Sequence, residues 1–153
     1  RDNRRLEARD DVLTFTSRPL REPLTIVGPV GASLYVECDR EHFDVFARLC
    51  DVDRRGRSRN VTDGLVRLRP GEAALDAEGV RRVAIELFPT AYRFRPGHKV
   101  RLQVSGGSHP RYARNLGSGE PLATGTTMLV QSVGLHHDPV HPSAVELPVL
   151  ERP

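Results

Sequence analysis

A chain of 153 residues can bury one hydrophobic core unaided, and two cysteines, Cys38 and Cys50, are too few for a disulfide-built scaffold. The net charge is +3, from 23 basic and 20 acidic residues, and every basic residue except Lys99 is arginine. These charges are interleaved along the chain, and with no Trp, three Tyr and five Phe there is little aromatic surface for stacking bases, so no nucleic-acid partner is expected. No apolar run approaches the roughly 20 residues of a membrane span, so no membrane partner is expected either. The residues leave the compartment open, with the cytoplasm slightly favoured because no signal peptide is visible.

Taken in order, the chain opens on a charged lead-in, residues 1–11, expected to be frayed or packed on something outside the chain. Its first residues, Arg1-Asp2-Asn3-Arg4-Arg5 with no initiator Met, predict a piece of a longer protein. Val12 to Ser17 begins a strand pattern, with Leu13 and Phe15 on one face. Leu24 to Val27 reads as a short strand ended by Gly28-Pro29. Leu34, Val36 and Cys38 alternate with Tyr35 and Glu37. After a turn at Asp39 to His42, Phe43, Val45, Ala47 and Leu49 alternate with Asp44, Phe46, Arg48 and Cys50, which predicts a hairpin or neighbouring strands. Both cysteines are expected as buried thiols.

Asp51 to Ser58 has the D-x-D-x-x-G opening of a calcium loop, but Arg55 stands where an oxygen ligand is needed and no glutamate follows at the twelfth position. It reads as a polar hairpin loop turning on Gly56. Leu65, Val66 and Leu68 continue as a strand, and Pro70 to Gly79 is turn-rich. Val83, Ile85 and Leu87 predict a strand closed by Phe88 and Pro89. Phe94-Arg95-Pro96-Gly97 is a turn, because proline presets φ and glycine tolerates positive φ. Val100, Leu102 and Val104 alternate with Arg101, Gln103 and Ser105, a strand with one dry face. Met128, Val130 and Ser132 alternate with Leu129, Gln131 and Val133. Val145, Leu147 and Val149 form the last strand, which Pro148 places at a sheet edge. Short alternating strands with turn signals between them and no convincing helix predict an all-β antiparallel sandwich.

Between Gly106-Gly107 and the flexible stretch from Leu116 lies Ser108-His109-Pro110-Arg111-Tyr112-Ala113-Arg114-Asn115. It is a loop dense in hydrogen-bonding groups, delivered by a rigid strand, and loops of that kind carry contacts to partners more often than core. Arg111 and Arg114 each present a planar fork to carboxylates or carbonyls, and Asn115 both donates and accepts. Either the loop ties itself to its own sandwich or it presents these groups to a partner. Ser108, His109, Pro110, Arg111, Tyr112, Arg114 and Asn115 are therefore the candidate contact residues.

The stretch PTAYRFRPGHKVRLQVSGGSHPRYARN resembles the C-terminal domain of the X-Pro dipeptidyl-peptidase, cocaine esterase and α-amino-acid ester hydrolase (CocE/NonD) family of serine hydrolases. Further family marks follow the right order: LTFTSRPL at Leu13 to Leu20, VFARLCDVD at Val45 to Asp53, SRNVTDG at Ser58 to Gly64 and HDPVHPS at His137 to Ser143. The resemblance covers nearly the whole chain. It implies a jelly-roll, galactose-binding-like β-sandwich over residues 1–153, an accessory C-terminal domain. It implies a catalytic α/β-hydrolase domain in the same polypeptide as partner, with the contact residues of the loop 108–115 docking on it or lining its substrate entrance, and a whole protein that hydrolyses ester or peptide bonds.

The chain's own residues supply no catalytic machinery. A serine hydrolase of this kind needs a G-x-S-x-G elbow between strand and helix, and the nearest stretch, Gly117-Ser118-Gly119, is a bare loop. No catalytic residue, cofactor or metal is assigned. His136, His137, Asp138 and His141 crowd together, but adjacent histidines on a strand face opposite ways, and Pro139 and Pro142 make the stretch a turn. His98 and His109 read as hydrogen-bonding residues. An independent carbohydrate-binding jelly roll is the alternative function, weakened by the absence of Trp.

Overall fold

The computed structural model describes residues 2–150; Arg1 and residues 151–153, at the ends of the predicted domain, lie outside the described residues. A one-turn helix, α1 (Arg4–Glu7), precedes eight strands: β1 (Val12–Thr16), β2 (Leu24–Cys38), β3 (Phe43–Val52), β4 (Ser58–Leu68), β5 (Arg81–Phe94), β6 (Lys99–Ser105), β7 (Val133–His136) and β8 (Ala144–Glu146). All the pairings are antiparallel. One sheet has the order β1-β6-β3-β4, and the other the order β5-β2-β7, with β8 also on β2. Their inner faces meet in one core that includes Leu34, Val36, Phe43, Val45, Leu49, Ile85, Leu87 and Leu102. The expected all-β antiparallel sandwich is therefore what forms. Among the described residues no helix is long and apolar enough to cross a membrane.

The single long strand β2 replaces the two predicted around Gly28-Pro29. The ladder with β5 shifts register between Gly28 and Val30. Pro29 has no N–H to give and sits in that bulge, where none is required. Gly28 takes φ +130°, a value that side-chain-bearing residues rarely adopt. Pro89, predicted to close β5, lies opposite the same irregularity, so the strand runs through it to Phe94. The predicted pairing of β2 with β3 does not form. Both strands point alternate apolar residues inward, and they satisfy this from opposite sheets, across the core. The predicted strand at Met128 is also absent: Met128 and Val130 are exposed, and pairing with β2 begins only at Val133. The last ladder starts at Ala144 and resumes as an isolated bridge between Ile26 and Val149, along the edge where Pro148 was expected.

The charged lead-in packs on the sandwich itself. Asn3 is buried, its amide donating to Ser58 O at 2.8 Å and its Nδ2 to Asn60 Oδ1 at 2.6 Å. The Glu7 carboxylate, 4% exposed, pairs with Arg101 Nη1 at 2.6 Å. Cys50 lies beneath Asn3, and burial pushes its thiol up to about 11; Cys38 is only half-buried. Both thiols are free.

One side of the sandwich is closed by β4 of the first sheet approaching β5 of the second. Thr62 Oγ1 donates to Phe88 O at 2.6 Å, and Gly64 lies against the backbone of Glu86 and Leu87. A Cβ on Gly64 would overlap Glu86 O and stand 3.1 Å from Leu87 Cα. Backbone cannot swing aside as a side-chain tip can. Gly64→Ala should therefore lower stability by about 1–3 kcal/mol, the range for overpacking a tight site. A urea midpoint equal to that of the parent chain would show that the seam opens at no cost.

Candidate functional site

Strand β3 is buried along its whole length, on both faces. Its inner residues, Phe43, Val45, Ala47 and Leu49, belong to the core. Its outer residues, Asp44, Phe46, Arg48 and Cys50, are covered by the loop 108–115 and by the N-terminal segment. Two cross-strand pairs organise this outer face. The register with β4 sets Asp44 opposite Arg67 and Arg48 opposite Asp63. Arg67 grips Asp44 with both prongs of its fork, Nε to Oδ1 at 2.8 Å and Nη2 to Oδ2 at 2.7 Å. Arg48 reaches Asp63 Oδ2 at 3.4 Å, a longer contact between two nearly buried groups.

The loop is fastened onto these charges. Ser108 Oγ accepts from Arg48 Nη2 at 3.3 Å. Arg111 Nε stands 2.8 Å from Asp63 Oδ1, close enough for an ion pair although not aligned as a hydrogen bond. The Arg111 guanidinium also lies over the rings of Phe88 and Tyr112, at 5.4 and 5.6 Å from their centroids. Tyr112 tilts against Phe46 with ring centroids 6.0 Å apart. Ala113 O accepts from Arg67 Nη2 at 2.6 Å, and Asn115 Nδ2 donates to Asp44 Oδ1 at 2.8 Å. The peptide bond between His109 and Pro110 is cis.

Of the seven candidate residues, Ser108, Arg111, Tyr112 and Asn115 thus come together over β3 and β4. His109, Pro110 and Arg114 face outward and are exposed. Among the described residues Arg114 makes no hydrogen bond and no ion pair. Beside it runs an open groove of about 730 Å³, lined among others by Leu13, Gln103, His109, Arg114, Asn115 and Met128. At its floor Gln103 is 1% exposed, and its Oε1 accepts no hydrogen bond from the described residues.

The sequence reading missed Asp44, Arg48, Asp63 and Arg67, yet a signal for them was present. Asp44 and Arg48 lie four apart on one strand, and Asp63 and Arg67 repeat the pattern. Residues four apart share a strand face, and antiparallel pairing of the two segments makes every opposition attractive.

The other histidines and the loop serine make local contacts. His98 Nδ1 has a distant carboxylate partner in Asp51, at 2.8 Å, and Asp51 also accepts from Tyr92 Oη at 2.8 Å. Burial, with that carboxylate beside it, pushes the Tyr92 phenol up to about 12. Among the described residues His98 is hydrogen-bonded to no serine, threonine or cysteine. Ser118 Oγ accepts from the Glu120 amide at 3.4 Å and is hydrogen-bonded to no histidine. The calcium-like loop spends its carboxylate internally, Asp53 Oδ1 accepting from the amides of Arg55 and Arg57, and it turns on Gly56 at φ +79°.

The family model of the X-Pro dipeptidyl-peptidase C-terminal non-catalytic domain matches residues 3–146. The cocaine esterase of Rhodococcus sp. (strain MB1 Bresler) is 34% identical over 158 residues, which cover 99% of this chain and 28% of the esterase. A selenomethionine-labelled α-amino acid ester hydrolase superposes with a TM-score of 0.87 at 27% identity, over 97% of this chain and 27% of that one. An aminopeptidase from a marine sediment archaeon, Thaumarchaeota archaeon, shares the fold with a TM-score of 0.84 at 23% identity, over 98% of this chain and 27% of that one. The chain therefore spans under a third of the length of these relatives. With a match from Asn3 to Glu146 that takes in the lead-in, both sheets and the loop, the chain belongs to the family of X-Pro dipeptidyl-peptidase C-terminal non-catalytic domains.

Proposed function

We propose that this sandwich docks on a catalytic α/β-hydrolase domain of the same polypeptide through the loop 108–115, and that it helps shape the substrate entrance of a serine hydrolase acting on ester or amide bonds. The observation that carries this reading is the division of labour within the loop. Ser108, Arg111, Tyr112 and Asn115 are spent on holding the loop to β3 and β4. Arg114 and His109 are left outward, on a backbone already fixed in place. A preorganised loop loses little conformational entropy when a partner meets it, and an arginine fork suits carboxylates and carbonyls. The groove beside Arg114, with apolar Leu13 and Met128 on its walls and a buried amide oxygen at its floor, is a surface of mixed character such as domain interfaces have.

On this reading the chemistry belongs to the partner domain. The 153-residue chain alone should hydrolyse neither p-nitrophenyl acetate nor a Gly-Pro chromogenic amide above background, and Ser118→Ala should change nothing. Turnover that disappears in Ser118→Ala would place a nucleophile in this domain and overturn the proposal.

A further inference from the structure

The connection between β7 and β8 carries a second cluster, remote from the loop in sequence and unused by the docking reading. His137 turns away to pack edge-on against Phe15, at 5.5 Å between centroids. His136 and His141 instead lie side by side, with ring centroids 5.3 Å apart and the planes tilted by 58°. Asp138 stands between them and divides its carboxylate. Oδ1 accepts from the amides of Val140 and His141 at 2.8 and 3.0 Å, which fixes the group, while Oδ2 lies 3.6 Å from His141 Nδ1 and 4.0 Å from His136 Nδ1. Three donor atoms, one from each of His136, Asp138 and His141, all lie within 4.8 Å of one another. Ligands about 2.0–2.2 Å from a tetrahedral cation are spaced a little over 3 Å apart, so the three must draw together by about 1 Å to share one ion.

The far side of each ring is furnished as well. His141 Nε2 is 2.9 Å from Asp76 Oδ2, and His136 Nε2, buried and without a hydrogen-bond partner, lies 3.7 Å from Glu37 Oε1. A carboxylate behind the imidazole is the arrangement that orients a metal-binding histidine and raises its basicity. The backbone is held too: Ser143 Oγ donates to His136 O and accepts from the Tyr35 amide at 2.9 Å, and the Tyr35 ring meets His141 edge-on. The geometry points to a divalent transition-metal site formed by His136 Nδ1, His141 Nδ1 and Asp138 Oδ2, with a solvent-facing fourth position. Two imidazoles and one carboxylate suit Zn²⁺, Co²⁺ or Ni²⁺ and disfavour Mg²⁺ and Ca²⁺. The ion would staple the ends of β7 and β8 together and, through Asp76, secure the 70–79 loop. The sequence reading assigned no metal because adjacent histidines on a strand face opposite ways and Pro139 and Pro142 make the stretch a turn; that turn brings His141 back beside His136.

The competing occupant is a proton. Hydrogen bonding to Asp76, with Asp138 nearby, raises the pKa of His141. The two are separated by titrating the chelator-treated 153-residue chain with ZnCl₂ by calorimetry at neutral pH, with melting curves alongside and MgCl₂ as the control. The site predicts saturable binding of one Zn²⁺ per chain and a rise in Tm that Mg²⁺ does not produce. His136→Ala, a change at a half-buried position, should abolish both while leaving the metal-free Tm close to the parent value. Asp76→Asn, which touches no ion, should weaken Zn²⁺ by about 10–100-fold. Absence of saturable binding, or binding in His136→Ala equal to that of the parent, would overturn the site and leave the cluster as a proton-holding turn.

Discussion

Asp44→Ala is expected to cost about 3–5 kcal/mol of folding stability, the loss typical of breaking one side of a buried ion pair. Asp44 is 1% exposed and holds two partners, the Arg67 fork and the Asn115 amide. Its removal leaves the Arg67 charge in a largely buried position and takes away the anchor at the end of the loop. The two effects separate by experiment. Asn115→Ala removes only the neutral partner and should cost about 1 kcal/mol, as one hydrogen bond does. Asp44→Ala combined with Arg67→Ala should cost less than the two single changes added together, because the residues share one interaction. Chemical denaturation of the parent chain and the four variants measures this directly. A loss under about 1 kcal/mol for Asp44→Ala would class the pair with exposed salt bridges.

Leu102→Asp is expected to be more damaging still, at about 4 kcal/mol or more, the range reserved for unpaired charge in a core. Leu102 is 8% exposed and sits on β6 between Phe15 of β1 and Leu49 of β3. Its side chain belongs to the apolar core between the sheets. Leu102→Ala, which leaves a cavity and adds no charge, should cost about 2–5 kcal/mol. The aspartate should therefore melt lower than the alanine, or fail to fold. Similar midpoints for the parent and Leu102→Asp would mean that β6 does not pack as described.

The sequence was most readable where one face of a strand is dry and the other wet. The first half of β5 alternates in this way. On β6 the expected polar face is not wet: Gln103 is buried between Leu102 and Val104, beneath the groove. The turn at Arg95 to Gly97 was legible from proline and glycine alone, and Gly97 indeed takes φ +81°. Strand β2 was cut in two because Gly28-Pro29 reads locally as a stop, whereas a bulge lets neighbouring strands carry the chain past it. The burial of the outer face of β3 was not legible, for a different reason. Alternation identifies a polar face, but it does not say whether that face meets water or another part of the chain. Asp44 and Arg48 are polar and buried, and only the covering loop and the opposed charges of β4 explain why. The loop itself was found from its density of hydrogen-bonding groups. The sequence could not divide Arg111, which turns inward to Asp63, from Arg114, which does not, because that depends on register two strands away.

That division supplies the sharpest test of the docking proposal. Arg114→Ala should be compared in two settings by thermal melting: the 153-residue chain alone, and the longer polypeptide with a catalytic domain that the proposal requires. In the chain alone the change should be within about 0.5 kcal/mol, as expected for an exposed residue without partners. In the longer polypeptide it should lower stability by about 2–5 kcal/mol if the guanidinium is buried against a charged partner there. Arg111→Ala, which loses an internal ion pair, should instead weaken both. Equal and negligible effects of Arg114→Ala in the two settings would contradict docking through this loop.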